Sequence, residues 1–370
     1  MAADQKNIKT LSYDLKLLFP VLFLVGIGVV MVYSASSALA MKRFGNEYYF
    51  LKKQAAFALV GLLALVFSRH FPYRFYRSIT YPLLGLAIVA LLAIQLTALG
   101  ISAGGSARWL RFYGISFQPS EFAKFAVIIF LAYSMNKKGE KLKDLYIGFL
   151  PHVLVLGTFT TLIILQPDFG SVVILGAITW IMLFVGGARI RHLLPALITL
   201  LPFLYFFMMS AEYRLKRIIS FLNPWQYSSD EGYQIIHSMM AFGTGGIWGA
   251  GIGKGFQKLF YLPEPHTDFI FSVIGEELGL LGVFIIMALY VLILWRGLII
   301  SRNASETFGC FLACGLTLAI GLQVCVNMGV TLGLLPTKGL TLPFLSYGGT
   351  SLLMNMASIG VLMNISGSTK

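Results

Sequence analysis

Charge is scarce in this chain of 370 residues: Asp, Glu, Lys and Arg together make up 12% of it, against 57% hydrophobic residues. No soluble domain of this length carries so little charge on so much apolar sequence, which excludes a water-soluble enzyme. Acid is the scarcer sign, with 15 Asp+Glu against 28 Lys+Arg and a net charge of +13. The basic residues are spread over many short loops rather than gathered in a patch, so no nucleic-acid partner is expected. Cysteine is sparse too. Cys310, Cys314 and Cys325 share one late apolar segment, with neither a disulfide framework nor metal-ligand spacing.

Long apolar runs are abundant. Lipid offers backbone groups no water, and a helix satisfies them internally, so each run reads as a membrane-crossing helix. The runs cover 17–39, 51–68, 79–98, 119–135, 145–165, 170–187, 193–210, 268–296, 307–330 and 342–365. The expected fold class is an all-α polytopic membrane protein of about ten transmembrane helices, with a long extracytoplasmic loop, 211–267, between helices 7 and 8. The first run ends in Ala38-Leu39-Ala40, which mimics a signal-peptidase site, but it is too long for a signal-peptide core and is read as a retained span. Three regions follow: an N-terminal tail (1–16), one membrane domain (17–366) and a C-terminal tail (367–370).

Basic loops set the orientation. Arg69, Arg74 and Arg77, Lys137, Lys138, Lys141 and Lys143, Arg189 and Arg191, and Arg296 and Arg302 fall on the same side as Lys6, Lys9, Lys16 and Lys370. The positive-inside rule makes that side the cytoplasm and puts both termini there. The polar stretches 99–118, 166–170, 211–267 and 331–341 then emerge on the outer face. The 57 residues of 211–267 are too many for an idle connection. Tyr213, Trp225, Tyr227, Tyr233, Phe242 and Trp248 suit the headgroup level. The glycine-rich run 243–255 reads either as a phosphate cradle or as a plain flexible loop.

Polar residues where lipid is expected mark the candidate site. Asp268 stands where a polar, proline-punctuated loop enters the apolar run 268–296. It reads as a helix N-cap, as a functional acid at the membrane edge, or as both. Ser272, Gly275, Gly279 and Gly282 form a small-residue stripe for close helix approach. Glu276 and Glu277 need partners there: Lys124, an arginine or protons. Glu121 and Lys124, three residues apart after Pro119, read as a self-neutralising pair or as an anion contact held by a carboxylate. Arg108 beside Trp109 offers cation and flat apolar surface, or serves as an interfacial anchor. Asp168, in Gln166-Pro167-Asp168, reads first as turn chemistry. The run 334–351, with its prolines and glycines, implies a cavity near Ser346, Tyr347, Gly348 and Gly349.

Seven stretches then carry a resemblance: MVYSAS (31–36), RWL (108–110), QPSEFAK (118–124), QPDFG (166–170), LPEPHTDFIF (262–271), GEELG (275–279) and LPFLSYGG (342–349). The chain resembles the SEDS proteins of shape, elongation, division and sporulation over nearly its whole length. LLPTKGLTLP (334–343) is closest to the division branch. The resemblance implies a peptidoglycan glycosyltransferase of the bacterial inner membrane that polymerises lipid II into glycan strands. It makes Asp268 the essential residue, places Glu121 and Lys124 in the same cavity, and names a class B penicillin-binding transpeptidase, FtsI-like, as obligate partner beside other divisome membrane proteins. The basic loop departs from its relatives, reading GGSARWL with Arg108 as the matching arginine and one basic residue fewer.

Joining the 4-hydroxyl of one disaccharide to the anomeric carbon of another needs a base and positive charge where diphosphate departs. Asp268 is the candidate base. Lys124, Arg108 or a divalent cation, Mg or Mn, is the candidate source of charge. Gln166, Asp168, Glu264, His266, Thr267 and Lys338 complete the candidate substrate contacts with Trp109, Glu121 and the Ser346–Gly349 turn. Two other readings compete: a lipid II flippase built on Glu276, Glu277, Lys124 and the broken last helix, and a divisome scaffold without activity.

Overall fold

The computed structural model describes residues 13–97, 100–103, 106–112, 115–209, 212–229, 232–259 and 261–368. Lys6, Lys9 and Lys370 lie outside them, as does the side chain of Tyr213. The elements are, in order, α1 (Leu15–Phe44), α2 (Tyr49–His70), α3 (Tyr73–Ser78), α4 (Thr80–Leu96), β1 (Gly100–Ala103), β2 (Ser106–Phe112), β3 (Ile115–Phe117), α5 (Pro119–Lys138), α6 (Leu150–Ile164), α7 (Phe169–Val185), α8 (Ile190–Met209), α9 (Glu212–Leu222), α10 (Gly232–Gly245), α11 (Ile270–Asn303), α12 (Thr307–Thr331) and α13 (Gly349–Gly367).

A helix covers each of the ten apolar runs. Among the described residues, five helical segments, Leu15–Phe44, Tyr49–His70, Leu145–Ile164, Ile270–Asn303 and Thr307–Thr331, are long and apolar enough to cross a membrane. The last expected helix begins later than the hydropathy suggests, at Gly349, because residues 332–348 fold as an irregular re-entry held by side chains. The all-α expectation is corrected in 100–117. There β1, β2 and β3 form a small antiparallel sheet in sequence order, with Trp109 opposite Ile101 and Arg111 opposite Ser116. Alternation along β2 accounts for it, since Leu110 turns inward while Arg111 is exposed, a period of two rather than 3.6. The long loop is corrected as well: 211–267 holds α9, a short 3-10 turn (Pro224–Tyr227) and α10.

Helix ends follow their local chemistry. Gly45 closes α1 in the left-handed conformation (φ 66°) and its N–H bonds back to Met41 O. Pro119 opens α5 in the first turn, where no N–H partner is lost. Close packing then joins the elements. A Cβ on Gly28 would sit 2.6 Å from Phe344 O, so only glycine lets the re-entry run against α1. Tyr290 of α11 donates its hydroxyl to Pro343 O from the other side. At the opposite end of α11, Arg296 pairs with Asp14 at 2.9 Å, and Asp14 also accepts from Ser366. The start of α1 and the end of α13 therefore lie together, at the far end of α11 from Asp268.

The helix α11 is not continuous. Gly279 has φ 65° and ψ −167°, a conformation that breaks the hydrogen-bond ladder. The freed groups are taken by the glycine-rich loop: Ala250 N donates to Glu276 O, Gly251 N to Glu277 O, and Leu280 N donates to Gly246 O. The small-residue stripe thus receives α10 and the loop behind it. A Cβ on Gly275 would meet the Phe242 ring at 2.2 Å, and Ser272 bonds Ser238 of α10 at 2.6 Å.

Candidate active site

Asp268 lies in the loop just before α11, and the helix begins without it. Phe269 is the N-cap residue and no side chain caps the first turn, so the capping role expected for Asp268 is not taken up. Its carboxylate is left for other chemistry. The backbone behind it is held firmly: Asn327 of α12 donates from one amide to Asp268 O at 2.9 Å and to Leu340 O at 2.6 Å. Ser346 donates to Thr267 O at 2.6 Å while accepting from Leu342 N, and Tyr347 N donates to His266 O. The re-entry 332–348 therefore supports residues 266–268 along their length.

The charges around Asp268 are mixed. A Cβ on Gly339 would lie 3.1 Å from Asp268 Oδ2 and 3.9 Å from an Arg108 guanidinium nitrogen, so both groups face the same glycine. Burial pushes the Asp268 carboxyl up to about 7; Glu264 and Asp168 add to that, while Arg108 and Arg217 oppose it. Arg108, carried by β2, donates to Pro167 O, and its Nε is buried without a partner. Lys338, next to Gly339, lies 4.7 Å over the Phe169 ring, and burial lowers its pKa. His266 is packed between Phe50 and Tyr347, with ring centroids 4.5 and 5.6 Å away. Burial, with Arg43 adding to it, pushes its imidazole down to about 4, so it is neutral at pH 7. Its Nδ1 has no partner among the described residues.

Other expected site residues brace the structure. Asp168 caps α7, accepting from Ser171 N at 3.2 Å and from the hydroxyls of Ser171 (2.8 Å) and Ser120 (3.1 Å). Gln166 is buried and donates to Leu91 O of α4. Glu121 and Lys124 form a buried ion pair of 2.8 Å in the first turns of α5. Gly349 packs on the Phe57 ring and Gly348 beside Thr341. Trp109 and Thr267 are half-buried, and the side chain of Thr267 turns back to Glu264 O.

The expected ion partners of the deeper acids are corrected. Neither Lys124 nor an arginine pairs with them; Glu277 binds Lys258 at 2.6 Å and accepts from Ser34, while Glu276 accepts from Phe256 N and Gln257 N. Three amides of the glycine-rich run go to α11: Ala250 N and Gly251 N to backbone carbonyls, and Gly253 N to Glu277 Oε2 at 3.1 Å. Sequence reasoning missed Asn327, Arg217, Lys258 and Ser34. A signal existed for Asn327, a primary amide in a strongly apolar helix that needs partners in lipid.

Residues 15–370 match the profile of the FtsW/RodA/SpoVE cell cycle proteins. The chain belongs to this family. These are the SEDS proteins. The chain is 46% identical over 361 residues to the probable peptidoglycan glycosyltransferase FtsW of Geobacter metallireducens, covering 97% of this chain and 96% of that one. It is 41% identical to stage V sporulation protein E of Bacillus subtilis, covering 97% and 98%. Among solved structures it superposes on a chain of a peptidoglycan synthase complex that coordinates polymerization and crosslinking (TM-score 0.79, 28% identity, 96% and 97% covered). It also superposes on the rod shape determining protein RodA of Thermus thermophilus (TM-score 0.71, 27% identity, 96% and 97% covered). A SEDS protein with these helices is a multi-pass membrane protein.

Among the described residues no three His, Cys, Asp or Glu converge, and the oxygens of Asp168 are already engaged.

Proposed function

We propose that this SEDS protein polymerises lipid II into glycan strands on the outer face of the cytoplasmic membrane during cell division, with Asp268 as general base. A peptidoglycan glycosyltransferase must join a sugar hydroxyl to an anomeric carbon and release a lipid diphosphate. In the proposed step the acceptor 4-hydroxyl oxygen bonds to the donor's anomeric carbon, and its proton passes to the Asp268 carboxylate. The bond from the anomeric carbon to the phosphate oxygen breaks, and its electron pair leaves on undecaprenyl diphosphate. Diphosphate is a good leaving group, so no second carboxylic acid is needed to protonate it, unlike in glycoside hydrolysis.

The observation that carries this reading is an uncapped carboxylate, backed by Asn327 and Ser346, facing the same glycine as an arginine. Arg108 and Lys338 supply positive charge for the departing diphosphate. Lys124, the other expected source, is paired with Glu121. The expected Mg or Mn ion is assigned to the diphosphate of the substrate. The orientation follows from the basic loops: both termini cytoplasmic, ten crossings, and the loop between the seventh and eighth, with Asp268 at its end, outside. The likeness to a synthase complex supports a class B, FtsI-like transpeptidase as partner. The flippase reading rests on buried Glu276, Glu277 and Lys124 and the broken last helix; the pairing of Glu277 with Lys258 and of Lys124 with Glu121, and the expected outward position of the polar stretches, favour polymerisation.

Labelled lipid II, offered to the purified protein with its transpeptidase, tests the reading. Wild type is expected to make glycan polymer and Asp268→Asn none. Wild-type yield from an Asp268→Asn protein that still binds lipid II would remove Asp268 as the base.

A further inference from the structure

A buried polar cluster two turns beyond Asp268 has no part in the proposed chemistry. Lys258 Nζ lies 2.6 Å from Glu277 Oε1 and 2.8 Å from Ser34 Oγ, and the Ser34 hydroxyl also contacts both Glu277 oxygens, at 2.8 and 2.7 Å. Three separate elements meet there: α1 through Ser34, the loop through Lys258, and α11 through Glu277. The ion pair is withdrawn from solvent, its side chains 6% and 0% exposed. Glu276, next in the chain, clamps the same loop by accepting from Phe256 N at 2.7 Å and Gln257 N at 3.2 Å. Gln257 O in turn accepts from Leu262 N, and Gln257 Oε1 contacts His237 of α10 at 2.7 Å.

The chain leaves this anchor at Lys258, carries Asp268, and returns to it at Glu277. Asp268 thus rides on a closed loop whose two ends are one ion pair. Asn327 and Ser346 hold the middle of that loop, and the Lys258–Glu277 pair holds its ends. An arrangement made only to fill space would use apolar side chains, because burying two charges costs several kcal/mol before their attraction returns it.

We propose that Lys258 and Glu277, with Ser34, are positioning residues for polymerisation, fixing the loop that carries Asp268 to α1 and α11. The proposal rests on the reading of Asp268 as the base. Loss of the anchor lets the carboxylate drift while lipid II contacts elsewhere survive, and a displacement of about 1 Å costs on the order of a hundredfold in rate.

The test compares wild type, Lys258→Met, Lys258→Arg, Ser34→Ala and Asp268→Asn as full-length chains with their transpeptidase. Polymer formation is measured across lipid II concentrations, and hydrogen exchange is followed peptide by peptide. Folded Lys258→Met is expected to lose about ten- to a hundredfold in kcat with KM within about twofold, and to exchange faster in 259–267. Lys258→Arg recovers most of both. Should Lys258→Met fail to fold, Ser34→Ala decides, since it removes a hydrogen bond without stranding a charge; a few-fold loss in kcat with faster exchange in 259–267 is expected. Turnover within twofold of wild type in the variant that decides, or a loss of turnover with unchanged exchange in that segment, overturns the proposal. Polymer from Asp268→Asn would instead count against the base, while the exchange data would still decide whether the pair fixes the loop.

Discussion

Asp268→Asn should abolish polymerisation and also stabilise the protein, and the two effects should share one pH dependence. An unfolded aspartate titrates near 3.8, whereas the folded carboxyl is raised to about 7. Raising the folded value means that ionisation favours the unfolded chain: wild-type stability is fully present below pH 4, falls as pH rises towards 7, and stays level above it. The difference of about 3 pH units corresponds to roughly 4 kcal/mol at most, and partial exposure to solvent reduces it to about 2 kcal/mol. Asparagine has the same shape and no charge. The variant should therefore unfold like wild type at pH 4 and at distinctly higher temperature at pH 8, as intrinsic fluorescence during heating would show. Over the same window the wild-type rate should rise about tenfold per pH unit below 7 and level off above it, because only the carboxylate accepts a proton. A rate midpoint near 4, or an asparagine variant less stable than wild type at pH 8, would refute the account of a base held at the edge of solvation.

Asn327→Ala frees Asp268 O and Leu340 O at once and should cost about 1–3 kcal/mol of stability, with a loss of turnover larger than any change in lipid II binding. Lys124→Met leaves the buried Glu121 charge alone and should cost about 3–5 kcal/mol, whereas the double replacement Glu121→Leu with Lys124→Met should come close to wild type in thermal unfolding. Gly279→Ala should be among the most damaging substitutions on α11, because φ is 65° and the added Cβ would meet Gly249 N at 2.3 Å; recovery of folded protein after extraction would measure it. Chelation by EDTA should leave melting of the substrate-free protein unchanged, since the expected ion is assigned to the diphosphate, and a fall in melting temperature would move that ion to the protein.

Hydropathy located the helices because membrane helices must be apolar for about twenty residues, and that demand is visible in any window of the chain. It failed where backbone is irregular. The apolar run from Leu342 looked like helix, yet Gly28 and Tyr290 hold Phe344 and Pro343 in a re-entrant path through contacts far away in sequence. The same limit hid the partner of Glu277. Lys258 is 19 residues away across a loop, and nothing local separates it from Lys124 as a partner. Asp168 is a mixed case: Asp after Pro and two residues before Gly is legible as local chemistry, and its bond from Ser171 N is local, but it caps α7 and also reaches Ser120, 48 residues away, which nothing nearby signals.

The candidate site lies where the small sheet β1–β3 that carries Arg108 meets two irregular stretches, the loop ending at Asp268 and the re-entry 332–348. Irregular backbone at a membrane protein's core survives only where protein groups satisfy it. Here those groups are the buried polar side chains that a purely apolar bundle would not need: Asn327 on Asp268 O and Leu340 O, Ser346 on Thr267 O, and Glu276 on the amides of Phe256 and Gln257. Each contributes a bond that disappears if the loop shifts by an ångström, so satisfying the backbone and fixing the carboxylate are one task. Helix-borne residues such as Glu121 and Lys124 need no such support, and they pair with each other. A base that must meet a sugar hydroxyl at hydrogen-bond distance is therefore placed on irregular chain, and the regular helices around it hold that chain still.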